Sequence, residues 1–200
     1  IVAVGTVAEA NAASIAPAYG ATPASNDVGL AFGFLRAATA GRTLTCSGYT
    51  TVDSFGASSQ QPMYAFAKLL SAAEGAPTIV PVGAAAGEVL QGVTLLLRNT
   101  EPSIASLIHG TPQHKTTTGA NSTTAIATPA LTVTQADCLI VVAVSYQLDC
   151  SNLGNYNPNA DGNWTRQVFA STATGNNQAI AIYTRLQTTA ANIAASAILQ

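Results

Sequence analysis

One stretch of this 200-residue chain is written twice. "GYTTVDSFGASS" (48–59) and "NWTRQVFASTA" (163–173) both run from Gly or Asn through an aromatic and a Thr to Phe and a small Ser/Ala stretch. The echo extends well beyond these segments. "ATPA" at 21–24 returns at 127–130, and Asp27 with its apolar run meets Asp137 with its own. "YAFAKLLSAA" (64–73) lies over "AIYTRLQTTA" (181–190), placing Phe66 over Tyr183, Lys68 over Arg185 and Leu69 over Leu186. Whatever one copy forms, the other is expected to form as well.

The second copy reads as strand. In "AIAIYTRLQ", Ile180, Ile182, Thr184 and Leu186 fall on one side, with Ala181, Tyr183 and Arg185 on the other, the two-residue alternation of a pleated chain. That decides the first copy. "MYAFAKLLSAAEGA" (63–76) is rich in good helix formers, yet its counterpart makes it a strand. Gly and Pro punctuate the rest into short Val-, Ile-, Thr- and aromatic-rich pieces. Strands are predicted at 28–36, 49–55, 63–70, 77–82, 89–98, 131–134, 138–147, 164–170, 178–187 and 192–199. The expected class is all-β.

Each half holds only four or five short strands, and a sheet of that size cannot bury its apolar face alone. Two antiparallel sheets face to face make one core about 10 Å thick. The expected organisation is therefore an N-terminal arm or added strand at 1–20 and a single β-sandwich at 21–200. Its half-repeats are 21–105 and 127–200, joined by the polar loop 109–125. The second copy reaches Gln200 with no equivalent of "LQGVTLLLRN" (90–99). Either residues 1–8, "IVAVGTVA", supply the missing strand, or the recorded chain stops short of it.

Composition narrows the function classes. Charged residues are 8% of the chain, against about 25% in ordinary domains. With a net charge of −2 and seven scattered Lys and Arg, there is no basic stripe for nucleic acid. Low charge also removes a defence against association, as suits a protein packed beside copies or partners. The longest apolar runs, 28–35 and 138–144, fall far short of a membrane-spanning helix. Residues 1–20 lack the basic start and full apolar stretch of a secretory leader.

No GxSxG, GxGxxG or GxxxxGK[ST] occurs, and the nine acidic residues form no acid/base motif. No catalytic residue and no cofactor is assigned. A glycosidase on the same fold needs two carboxylates brought within about 5–10 Å by folding. His109 and His114 share a polar, turn-rich stretch without further ligands and read as exposed loop histidines. Cys46, Cys138 and Cys150 show no zinc spacing. They read as unpaired thiols, with one disulfide as the alternative; Cys138 is placed in the core, Cys46 and Cys150 in loops. In "SNLGNYNPNADGN" (151–163), Asn157, Asn159 and Asp161 imitate the alternating oxygens of a calcium loop, but the twelfth position is Val168. A turn cluster is the plainer reading. The aromatics Tyr156 and Trp164 beside Asn amides suit a glycan.

The ordered series Asn26-Asp27 before an apolar strand, Gly48-Tyr49-Thr50 at a bend, Phe66-Ala67-Lys68 in the next strand and "LLLRNTEPSI" (95–104) resembles a jelly-roll domain of accessory structural proteins in tailed-phage virions. Asn at 26, Tyr at 49 and Lys at 68 depart from the Gly, Trp and Arg of that pattern. The resemblance implies a jelly-roll-like sandwich and a non-enzymatic virion component: a capsid decoration, head-fibre or tail accessory protein. Its partners would be other virion proteins and copies of itself, and its location the particle surface. In this setting Arg98 and Arg185 either guard strand edges or anchor a neighbouring subunit. A carbohydrate-binding or host-attachment sandwich is the alternative function.

Overall fold

The computed structural model describes residues 1–98, 103–107, 109–115, 126–146, 163–172 and 178–198. One four-residue helical turn aside, every regular element among them is a strand, and every strand pairing is antiparallel. The all-β reading holds. The chain divides into two compact units, 1–108 and 109–200.

The first unit contains β1 (Ala3–Val4), β2 (Ala8–Asn11), β3 (Val28–Arg36), β4 (Thr43–Cys46), β5 (Thr50–Phe55), β6 (Met63–Leu69), β7 (Ile79–Val82), β8 (Val89–Leu97) and the turn α1 (Ile104–Leu107). Its main sheet runs β1-β8-β3-β6-β5, with β2 also on β8, and β4 and β7 form a second small sheet. Strands β3 and β8 are buried along their whole length save Arg36. Alternation is lost there because both faces of each strand are covered, which selects continuous apolar runs.

Two glycines set how closely the layers approach. Gly33 of β3 stands opposite Gly92 of β8. A Cβ on Gly33 would lie 2.7 Å from Leu44 Cδ1, and one on Gly92 would lie 2.6 Å from Ile15 Cδ1. Each would also come within 3.1 Å of Ile79. The bare backbone is thus the seat on which Ile79 packs, wholly buried, and burying such a side chain contributes about 1.5–3 kcal/mol. Ile15 holds Ile79 from the side through two backbone hydrogen bonds of 3.0 and 2.9 Å. Ala31, Leu35, Phe66 and Leu90 close the same core from the main sheet.

The second unit contains β9 (Ile126–Thr128), β10 (Leu131–Val133), β11 (Cys138–Tyr146), β12 (Thr165–Ser171), β13 (Ala179–Gln187), β14 (Ala191–Ile193) and β15 (Ser196–Ile198). The central sheet is β11-β13-β12, and β10-β14 and β9-β15 form separate pairs. β11 and β13 pair without interruption from Cys138 opposite Gln187 to Tyr146 opposite Ala179. Val144, Ala179, Ala181 and Tyr183 are its buried cluster, with Trp164 and Phe169 packed against them.

The two units share a strand order, β3-β6-β5 in one and β11-β13-β12 in the other. They also share a defect. β5 slips against β6 between Thr51 and Asp53, and β12 slips against β13 between Arg166 and Val168. Thr51 faces Phe66 and Arg166 faces Tyr183; Ala31 and Val142 occupy the other side of those same two residues. Counting back five from Ala31 and Val142 places Asn26 over Asp137. Both have left-handed backbone, with φ of 67° and 56°, which Asn and Asp tolerate better than most residues. The match of Asp27 with Asp137 is therefore corrected by one position.

Other corrections are local. The run 192–199 is two short strands with different partners. Residues 1–8 do not complete the second copy: β1 pairs with β8, Ala3 opposite Leu96 and Val4 opposite Leu95. Cys46, read as a loop residue, ends β4 and is buried, whereas Cys138 is only partly covered.

Candidate functional site

The repeated aromatic builds the same corner in both units. In the first, Gly48 turns the chain with φ of 77°, the Tyr49 amide donates to Cys46 O at 3.2 Å, and the Tyr49 ring comes to lie beside β6. Lys68 Nζ stands 5.6 Å from the centre of that ring, within range of a cation–π attraction. In the second unit, the Arg185 guanidinium stands 5.9 Å from the Trp164 ring centre. The pairs occupy equivalent positions on the shared three-strand pattern, and Lys68 over Arg185 was among the residues matched in sequence.

The first corner is closed by its own side chains. The Tyr19 and Tyr49 hydroxyls hydrogen-bond to each other. Lys68 pairs with Glu74, whose carboxylate also accepts from the Ser71 amide at 2.9 Å and hydroxyl at 3.0 Å. Lys68 and the Ser71 bonds hold the Glu74 carboxyl below its ordinary range. Burial pushes the Tyr19 phenol up to about 12 and the Tyr49 phenol further still. Desolvation pushes the Cys46 thiol up to about 11, against the pull of Lys68. All three groups are protonated at neutral pH, so the corner offers no thiolate or phenolate nucleophile.

That has a direct consequence for labelling. A thiol 2 units above its ordinary value of 9.0 forms about a hundredfold less thiolate at a given pH. A Cys138→Ser, Cys150→Ser variant, followed with an aromatic disulfide reagent at pH 8, should therefore react at Cys46 at least about two orders of magnitude faster when unfolded in urea than when native. Equal rates would contradict the buried placement.

Arg98 ends the strand region of β8 and engages Asp27, donating from Nε and Nη2 to the two carboxylate oxygens at 2.7 Å each. The Ala24 amide donates to the same carboxylate at 2.8 Å, the turn contact expected of Asp before a strand. The Arg98 bonds, foremost, hold the Asp27 carboxyl below its usual range. Sequence inspection did not find Glu88. Its wholly buried carboxylate accepts from the Ala38 amide at 3.0 Å, the Ala85 amide at 3.0 Å and Arg42 Nε at 3.2 Å. Two of the three donors, Ala38 and Arg42, lie 50 and 46 positions away, so no local spacing announces them.

Of the other sequence-level candidates, Trp164 and Arg185 meet in the second corner. Tyr156, Asn157, Asn159 and Asp161 lie outside the described residues, as does Cys150. His109 and His114 are exposed. Among the described residues no three His, Cys, Asp or Glu side chains gather as a metal-binding group, and no helix is long and apolar enough to cross a membrane. No protein-family model, curated protein or solved structure matches the chain.

Proposed function

We propose that the chain is a non-enzymatic structural subunit of a viral particle, a capsid decoration or accessory protein built by internal duplication of a jelly-roll-like β pattern. The observation that carries this reading is the doubled three-strand pattern, alike in order, slip and aromatic–cation corner. The use of charge agrees. Asp27, Glu74 and Glu88 each hold loops of their own unit together, and a surface poor in charge suits contact with neighbouring subunits. Such contacts work by area, and a stable one needs roughly 800 Å² per partner.

An antibody against the chain should find it in density-gradient fractions of purified particles from the source culture, at a fixed stoichiometry to the major capsid protein. Finding it only in the particle-free fraction overturns the reading. A second reading, glycan binding, draws on the half-buried Trp164 beside the exposed Asn163 and Thr165. Saturable binding on a glycan array that is lost with Trp164→Ala, by a chain absent from particles, would favour it.

A further inference from the structure

Strands β4 and β7 form a ribbon of their own over the main sheet. They pair with each other, from Thr43 opposite Val82 to Cys46 opposite Ile79. Leu44, Cys46 and Ile79 are buried in one core with Ala31, Leu35, Phe66 and Leu90 of the main sheet. Thr45, Val80 and Val82 are exposed on the outer side. The ribbon strands make no ladder with the main sheet. Among the described residues, their backbone bonds outside the pair join Ile79 to Ile15 of the arm and Cys46 O to the Tyr49 amide. Two short strands by themselves are marginal in water. The ribbon therefore stays down through its buried side chains and through whatever fastens its ends.

A carboxylate fastens each end. The chain enters the ribbon from β3 through residues 37–42 and leaves it for β8 through 83–88. Glu88 joins these two linkers, accepting from the Ala38 amide and Arg42 Nε of the first and from the Ala85 amide of the second. At the other end the linkers are 47–49 and 70–78. There Glu74 holds Lys68 and the Ser71 amide and hydroxyl, and Lys68 lies against the Tyr49 ring. Arg42 is the charged side chain on Glu88. Arg36, Glu9 and Asp53 belong to the opposite face of the main sheet, since Leu35, Ala8, Ala10, Tyr64 and Phe66 take the ribbon side. Tyr19, Tyr49 and Cys46, near Glu74, are uncharged in acid.

We propose that the β4–β7 ribbon is an acid-released cover, latched at its two ends by Glu88 and Glu74, which lifts while the main sheet stays paired. A protonated carboxyl no longer balances Arg42 or Lys68, and it loses acceptor capacity toward the amides. Both carboxyls titrate below their ordinary 4.5 in the closed protein. The open form therefore binds more protons, so the latches hold fully above about pH 4.5 and weaken as pH falls through the lower closed-state values, by up to about tenfold per pH unit for each carboxyl. Residues 37–42 also rest on the neighbouring loop, through the Gly41 amide to Ala57 O and Gln60 Nε2 to Ala38 O, so the ribbon pivots on them. The main sheet persists because its ladders are longer: β3 pairs over seven residues with β6 and nine with β8. Lifting uncovers Ala31, Leu35, Phe66 and Leu90, an apolar surface shown only in acid. The inference does not depend on the chain belonging to a particle.

The test uses the full chain with Cys138 and Cys150 changed to Ser, which leaves Cys46, under the ribbon, as reporter. Its labelling rate with an aromatic disulfide reagent active in acid is compared with the rate in urea at the same pH. The protection so measured should fall at least about tenfold between pH 6 and pH 3. Over the same range the Ile15 and Ile79 amides should exchange faster, after correction for intrinsic rates, while the amides of β3 and β8 stay protected. Glu88→Gln should show lowered Cys46 protection already at pH 6 and a weaker dependence on pH. Should that variant fail to fold, Glu74→Gln reads the other latch in the same way, and the parent pH series needs neither. Three results overturn the proposal: Cys46 protection that is flat from pH 6 to pH 3, loss of protection in β3 and β8 together with the ribbon, or a pH dependence that neither variant changes.

Discussion

Glu88→Gln should lower stability by about 2–4 kcal/mol, a fall in Tm on the order of 10 °C for a chain of this size. The replacement has the same shape, but an amide nitrogen must now face donors. Glu88 is 0% exposed and meets the Ala38 and Ala85 amides and Arg42, so water cannot take over the interrupted bonds. Arg42 itself is partly exposed, with 22% of its side chain accessible. Arg42→Met should also cost more than the up to about 1 kcal/mol of an exposed pair, because it leaves a buried carboxylate with two amide donors but no counter-charge. Acid distinguishes the same roles. Burial alone raises the Glu88 pKa, but the amides of Ala85 and Ala38 and the Arg42 guanidinium outweigh it, and the carboxyl titrates below its ordinary 4.5. A folded-state pKa below the unfolded value means the unfolded chain binds more protons in acid. The stabilisation is therefore fully present above about pH 4.5 and is lost as pH falls through the lower folded value. Asp27 and Glu74 are shifted in the same direction and steepen the same limb. Urea titrations between pH 7 and 3 should show stability falling with acid in the parent and falling less in Glu88→Gln. An equal acid dependence in the two would refute the clamp.

These charges mark where sequence reading stopped. The long strands were legible because their signal is local: β3, β8, β11 and β13 are nine residues each, apolar and bounded by turn residues. β6 was legible only by comparison with its echo, since its own residues favour helix. β1, β2, β4 and β9 are two to four residues long, with sequences such as AEAN and TLTC. Their strand character comes from the neighbours they meet, as β2 meets β8, and not from propensity. The one-residue error at Asp27 has a physical cause too. Residue type matched two aspartates, while the backbone matched the two left-handed positions, Asn26 and Asp137. Arg98 at a strand end suggested an edge guard or a subunit anchor, and the structure sets it on a carboxylate 71 positions earlier. Long-range polar pairs leave no period or spacing to read. The aromatic–cation corner was half legible: the matched residues could be aligned, but the ring-over-cation geometry needed the strand register, Thr50 opposite Ala67 and Thr165 opposite Thr184.

The N-terminal arm supplies the second large effect. Gly5→Ala should cost about 3 kcal/mol or more, at or beyond the upper end of ordinary overpacking, because nothing nearby can yield. A Cβ at Gly5 would fall 2.0 Å from the Ala18 carbonyl oxygen and 2.3 Å from Thr94 Oγ1. Those two atoms are themselves hydrogen-bonded at 2.8 Å, and the Gly5 amide donates to Thr94 O at 2.9 Å. Gly20 repeats the constraint from the other side, where a Cβ would meet the Val4 carbonyl oxygen at 2.1 Å. Two glycines thus let the start and end of the arm cross in backbone contact. What the crossing protects is β8. β1 and β2 cover its outer edge from Leu96 back to Val89, and β8 is nine uncharged, mostly apolar residues that would otherwise stand open. Detaching the arm should therefore do more than lower Tm. Trypsin is blind to an arm that contains no Lys or Arg, so limited digestion with elastase should nick residues 1–20 of the variant far faster than those of the parent. Amides of β8 should lose hydrogen-exchange protection, and the protein should aggregate through the exposed strand. Gly5→Ala with parental Tm and parental digestion would show that the arm is ornamental and that β8 needs no cover.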